Sequence, residues 1–107
     1  MKFIVNNSEW NLVFVPAGSM SLQRSDGTFT IGVSDNNVKT VYMAEGLSDY
    51  MTDRVLCHEL THVFSFENDC HIPIETEEVI ADFMATYGRS IIYCADQIIS
   101  RLIRRIG

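Results

Sequence analysis

The chain changes its apolar spacing near residue 48. Before that point, short β-rich runs are separated by turn residues. Residues 10–15 (Trp-Asn-Leu-Val-Phe-Val) favour a strand and stop at Pro16-Ala17-Gly18. Residues 21–24 and 28–33 flank Ser25-Asp26-Gly27, a hairpin turn sequence, and Asp35-Asn36-Asn37 marks the next turn before a run at 38–43. These runs predict an antiparallel meander of three or four strands over about residues 1–47. Phe14, Ile31 and Tyr42 are its core candidates.

After residue 47 the spacing becomes helical. Ser48 or Asp49 can cap a helix that runs to about residue 66, with Leu56, Leu60, Val63 and Phe64 along one side. Residues 67–73 read as a loop. A second helix is expected from Glu75 or Thr76 to about residue 90, its acidic first turn (Glu75, Glu77, Glu78) suiting a helix N-terminus. Ile91, Ile92, Ala95, Ile98, Ile99, Leu102 and Ile106 then repeat at helical spacing and predict a C-terminal helix over 91–106. That stripe is expected to cover the sheet or the other helices, with a partner-binding surface as the alternative. The class is α+β: a single domain over 1–107 with a small sheet followed by two to three helices.

Composition narrows the classes. The chain has 107 residues, 47% hydrophobic and 21% charged, an ordinary globular balance. A net charge of −6 argues against nucleic acid as a direct partner. Arg101, Arg104 and Arg105 gather late, where they suit a helix C-terminus. Only Phe3-Ile4-Val5 are apolar before Asn6-Asn7, too few for a signal segment, and no run approaches a membrane span. Cys57, Cys70 and Cys94 are odd in number and widely spaced, which points to a reducing cytosol rather than a disulfide framework. Cys57 should point about 100° away from the neighbouring histidine, as a buried thiol.

The chemistry sits in His58-Glu59-Leu60-Thr61-His62. Two histidines four apart share a helix face about 6 Å along the axis and can converge on one zinc ion at about 2.0–2.1 Å. Glu59 is placed to reach a water held by that metal, as a general base. A bare match to this pattern is also what an unrelated surface helix would show. Here two of only three histidines lie in it, opposite an apolar face.

Catalytic zinc takes three protein ligands and one water. His71, Glu77 and Glu78 are the candidates for the third. Glu78 is favoured because Asp82, one turn later on the same face, can accept the second ring N–H of a zinc-bound histidine. Glu77 has Ala81 at the equivalent place and offers no such partner. His71 fits a solvated or substrate-facing role better than a ligand's.

His58-Glu59-Leu60-Thr61-His62 followed by Glu78-Val79-Ile80-Ala81-Asp82-Phe83-Met84-Ala85 resembles the gluzincin pattern of the ImmA/IrrE-type metallopeptidases. The likeness is to small single-domain members encoded by phages and prophages. Residues 32–35, the strand at 40–43, and the stretch from Ala81-Asp82-Phe83 to Tyr87-Gly88 are also similar, so that it covers roughly residues 28–100. The resemblance implies that His58, His62 and Glu78 bind one zinc ion, that Glu59 is the general base and that Asp82 orients His58. It further implies that the strand Thr40, Val41, Tyr42 and Met43 forms the cleft rim and pairs with an extended peptide substrate. The implied activity is zinc-dependent cleavage of a cytosolic protein, for example a transcriptional regulator. The chain departs from larger members in lacking a helix-turn-helix domain and an assigned residue to steady the oxyanion. Tyr42, His71, Tyr87 and Tyr93 are the candidates for that role. The alternative expectation is a weakly active or inactive zinc-stabilised module that acts by contact. A purely structural zinc site, however, has no use for Glu59 and fills its fourth position, usually with cysteine.

Overall fold

The computed structural model describes residues 1–106, with side chains to Ile103. Arg104, Arg105 and Ile106, named above, have side chains outside the described set. Four strands, β1 (Lys2–Val5), β2 (Ser8–Val15), β3 (Gly32–Asp35) and β4 (Thr40–Ala44), precede two helices, α1 (Asp49–Glu67) and α2 (Ile74–Ile106). The class is α+β.

Asn6 and Asn7 both sit in the left-handed region (φ 49° and 68°), the backbone of a two-residue turn whose twist matches paired strands. They join β1 and β2 as an antiparallel hairpin. The expected meander does not form. The sheet order is β1-β2-β4-β3, and β2 pairs with β4 in parallel, Leu12 beside Val41 and Phe14 beside Met43. The sheet is therefore mixed. The turn at Ser25-Asp26-Gly27 does form, with Asp26 Oδ1 accepting from Thr28 N at 2.9 Å and Gly27 at φ +86°. Its flanks make only one bridge, Gln23 to Phe29, and residues 20–22 close into a 3-10 turn instead of a strand.

Alternation sets the core. Val41 and Met43 of β4 face α1 with Trp10 of β2 and Val63 of α1, all fully buried. Burying each such side chain stabilises the fold by roughly 1.5–3 kcal/mol. The proposed core residues Phe14, Ile31 and Tyr42 lie elsewhere. Tyr42 falls between Val41 and Met43, so it points to the other sheet face and is half-buried. Ile31 precedes buried Gly32 and is 40% exposed, and Phe14, near the end of β2, is 49% exposed. At the foot of α1, Glu67 accepts from Lys39 Nζ at 2.6 Å and from Trp10 Nε1 at 2.9 Å, which ties the helix end to β2 and to the β3–β4 turn. Lys39 holds the Glu67 carboxyl down at about 2, helped by Ser8 and Trp10.

Ser48 caps α1, its side chain accepting from Met51 N at 3.1 Å. α2 is one helix of 33 residues, not two: Gly88 in its middle costs only about 1 kcal/mol against alanine, and no proline interrupts it. Among the described residues no helix is long and apolar enough to cross a membrane.

Candidate metal centre

α1 presents His58 and His62 on the side facing α2, because positions four apart lie one above the other. α2 returns antiparallel and brings Glu78 against both rings. His62 Nε2 lies 2.8 Å from Glu78 Oε1, His58 Nε2 lies 3.2 Å from Glu78 Oε2, and the two Nε2 atoms are 3.2 Å apart.

The opposite ring nitrogens orient the two imidazoles. His58 Nδ1 is 2.9 Å from Asp82 Oδ1, and His62 Nδ1 is 2.6 Å from Glu77 Oε1. A carboxylate oxygen facing each Nδ1 favours the tautomer with its proton there and its lone pair turned inward at Nε2. Two imidazole Nε2 atoms and a carboxylate then converge on one another. Such acceptors repel one another unless a cation joins them. Tetrahedral ligands at 2.0–2.1 Å from zinc stand about 3.3 Å apart, close to the spacing here. His58, His62 and Glu78 are the residues able to hold the ion: one donor atom from each lies within 4.8 Å of the others.

Glu77 corrects the expectation drawn from Ala81. Its partner is not on its own helix. Glu77 is 4% exposed and turned into α1, where His62 Nδ1 donates to one oxygen and Ser65 Oγ, 2.5 Å away, to the other. Each histidine of the cluster thus has its own carboxylate: a buried one for His62, and Asp82, with its side chain 73% exposed, for His58. Ser65 three residues after His62, on the same helix face, was the available signal.

Glu59 is 6% exposed and turned toward β3, with Oε2 4.0 Å from His58 Nε2. Ser34 Oγ donates to Glu59 Oε1 at 2.8 Å. Burial pushes the Glu59 carboxyl above the ordinary glutamate value, while the Ser34 hydrogen bond and the neighbouring imidazoles pull it down. Gly32 lets β3 lie this close. A Cβ there would stand 2.7 Å from Val55 Cγ1 and 3.1 Å from Glu59 Cγ. Neither Gly32 nor Ser34 announces a role by spacing alone.

The cluster opens into a cleft of about 670 Å³ between β3, α1 and α2, lined among others by Ile31, Ser34, Arg54, Phe66 and Ala85. β3 is an edge strand and forms its rim. Thr40, Val41, Tyr42 and Met43, expected at that rim, are in β4, which is paired on both sides and has no free edge for a peptide. The oxyanion candidates also lie away from the cleft lining. His71 is exposed in the α1–α2 loop, Tyr87 packs on Phe83 at 5.1 Å between ring centroids, Tyr93 lines a different groove, and Tyr42 lies on β4. Cys57, expected to be buried, is half-buried, and all three cysteines are free.

Compared with known proteins, the chain matches no family model and shows no significant similarity to a curated protein.

Proposed function

We propose that the protein is a zinc-dependent metallopeptidase that cleaves an extended segment of a protein substrate. The observation that carries this is the pairing of three converging acceptor atoms, 2.8–3.2 Å apart, with a buried carboxylate 4.0 Å from one of them and a cleft alongside. Holding a metal would require only the histidines and Glu78; the buried Glu59, raised in pKa, suits proton transfer at neutral pH. A zinc ion held there by His58, His62 and Glu78 would supply the electrophile that polarises a peptide carbonyl and acidifies a water. Glu77 and Asp82 keep the two rings in one tautomer. Glu59, held by Ser34, takes a proton from the attacking water and passes it to the leaving amine nitrogen. The free edge of β3 suits main-chain pairing with the substrate, the mode in which an added strand gains hydrogen bonds without demanding a particular sequence. Resemblance to the ImmA/IrrE-type peptidases favours a transcriptional regulator as substrate, and the free cysteines suit the cytoplasm.

A second reading has one observation in its favour. None of Tyr42, His71, Tyr87 and Tyr93 is among the residues lining the cleft, which suits a zinc-stabilised module that acts on a partner by contact. One experiment separates the two. Glu59→Gln should keep stoichiometric zinc and lose peptide cleavage, while His62→Ala should lose the metal. Full turnover by purified Glu59→Gln would refute the peptidase mechanism, and wild-type protein that holds zinc yet cleaves no peptide library would favour the contact module.

A further inference from the structure

The packing of α2 on α1 reaches the Arg89–Asp53 ion pair at 2.7 Å, close to the start of α1. α2 then continues to Ile106, about 25 Å of further helix at 1.5 Å per residue. Every residue from Arg89 to Ile103 is exposed. Most helical stability in proteins comes from packing of an apolar face, so a surface covering this stretch would stabilise it.

Its apolar residues form a seam. Met84, Gly88, Ile91, Ala95, Ile98 and Leu102 follow one another in steps of four and three, the repeat of a coiled-coil contact. Met84, Ile91, Ile98 and Leu102 are 41%, 47%, 52% and 46% exposed. The seam runs into an apolar trough between α1 and α2 that includes Leu60, Phe64 and Ile92.

We propose that a second copy of this chain covers the seam, α2 against α2, antiparallel about a two-fold axis near Ile91. In that register Met84 meets Ile98 of the second copy, Gly88 lies opposite Ala95, and Ile80 meets Leu102. Gly88 is buried beneath the Met84 side chain, so Met84 forms the contact surface there, opposite Ala95 and Ile98. The overhang of each copy lies along the trough of the other. Charge selects the direction: Glu75, in the first turn of α2, is exposed, and Arg101, also exposed, lies toward the other end of the helix. Antiparallel packing sets unlike ends together, and parallel packing would set like ends together. The area also suits the occupant. With Ile92, Ile99 and Ile103 added, the face offers on the order of 800 Å² per copy, the size of a standard interface and more than the largest patch of an ordinary monomer. A two-fold contact of this kind closes at two copies. Glu78 and Asp82 project roughly 150° around α2 from the seam, so the dimer leaves the metal centre open and does not depend on it.

The test is the mass of the full chain in solution. Sedimentation equilibrium up to about 100 μM, above the range in which interfaces of this size assemble, should give twice 12.2 kDa. Ile91→Asp/Ile98→Asp should give the monomer mass with helical circular dichroism and zinc binding retained, and Ser100→Asp, on the far side of α2, should stay dimeric. Orientation is read by crosslinking in a background with Cys57, Cys70 and Cys94 changed to serine. Met84→Cys chains mixed with Ile98→Cys chains should form a mixed disulfide, and Ile98→Cys alone should not pair with itself. A wild-type monomer, a dimer indifferent to Ile91→Asp/Ile98→Asp, or self-pairing of Ile98→Cys would each overturn the proposal. If the double aspartate variant does not fold, the crosslinks decide alone.

Discussion

Removing Glu77 should weaken metal binding more than removing Asp82, although both carboxylates face the Nδ1 of a histidine in the proposed site. The reason is solvent. Asp82 is 73% exposed at its side chain, so water can take its place at His58 Nδ1. Glu77 is 5% exposed at its side chain, and beside it His62 Nδ1 and Ser65 Oγ have no solvent to turn to. Glu77→Ala leaves two buried donors unpaired, each costing about 1–3 kcal/mol, and frees the His62 ring to take the other tautomer, with its proton on Nε2 where the metal should sit. Loss of such a carboxylate typically lowers metal affinity about 10–100-fold, or roughly 1.4–2.8 kcal/mol. Glu77→Ala belongs at the upper end of that range and Asp82→Asn at or below the lower. Glu77→Gln keeps an oxygen acceptor and should fall between. The measurement is zinc affinity by competition with a chromophoric chelator, alongside a melting curve, since Glu77→Ala should also lower the melting temperature of the metal-free protein. Wild-type affinity in Glu77→Ala, or a larger loss in Asp82→Asn, would refute the assignment of Glu77 to His62.

Three further outcomes follow from the same geometry. Ser34→Ala removes a hydrogen bond that lowers the Glu59 pKa, so that pKa rises further and the acid limb of the pH–rate profile should move upward; a uniform fall in rate with an unmoved limb would speak against it. Gly32→Ala forces a Cβ onto Val55 Cγ1, a stiff β-branched neighbour, and should cost about 1–3 kcal/mol, read as a drop of at least roughly 4 °C in melting temperature. Glu67 has its pKa lowered from 4.5 to about 2, so its contribution to stability is complete above pH 4.5 and is lost as pH falls through the interval to about 2. Glu67→Gln should flatten that part of the stability–pH curve, and an identical curve would show that Lys39 and Trp10 do not hold the charge.

Local information carried far in this chain. The spacing of His58 and His62 settles their common face because a helix has 3.6 residues per turn wherever it is placed, and the same rule puts Glu78 and Asp82 on one side of α2. The Ser48 cap and the bounds of α1 were legible for the same reason. The α+β class followed from the change in apolar period. Sheet order was not legible: pairing β2 in parallel with β4 joins residues about thirty apart, and no turn sequence records it. That one pairing moved β4 into the sheet interior and left β3 as the cleft edge. Ile91 through Leu102 showed their helical period in the sequence, but not that α1 is too short to cover them. Glu77 illustrates the division most plainly. By sequence it is a charge at a helix start, one residue from the better candidate. Only the docking of α2 on α1 turns it inward to His62 and Ser65, because a contact between two helices depends on how they pack and not on the period of either one.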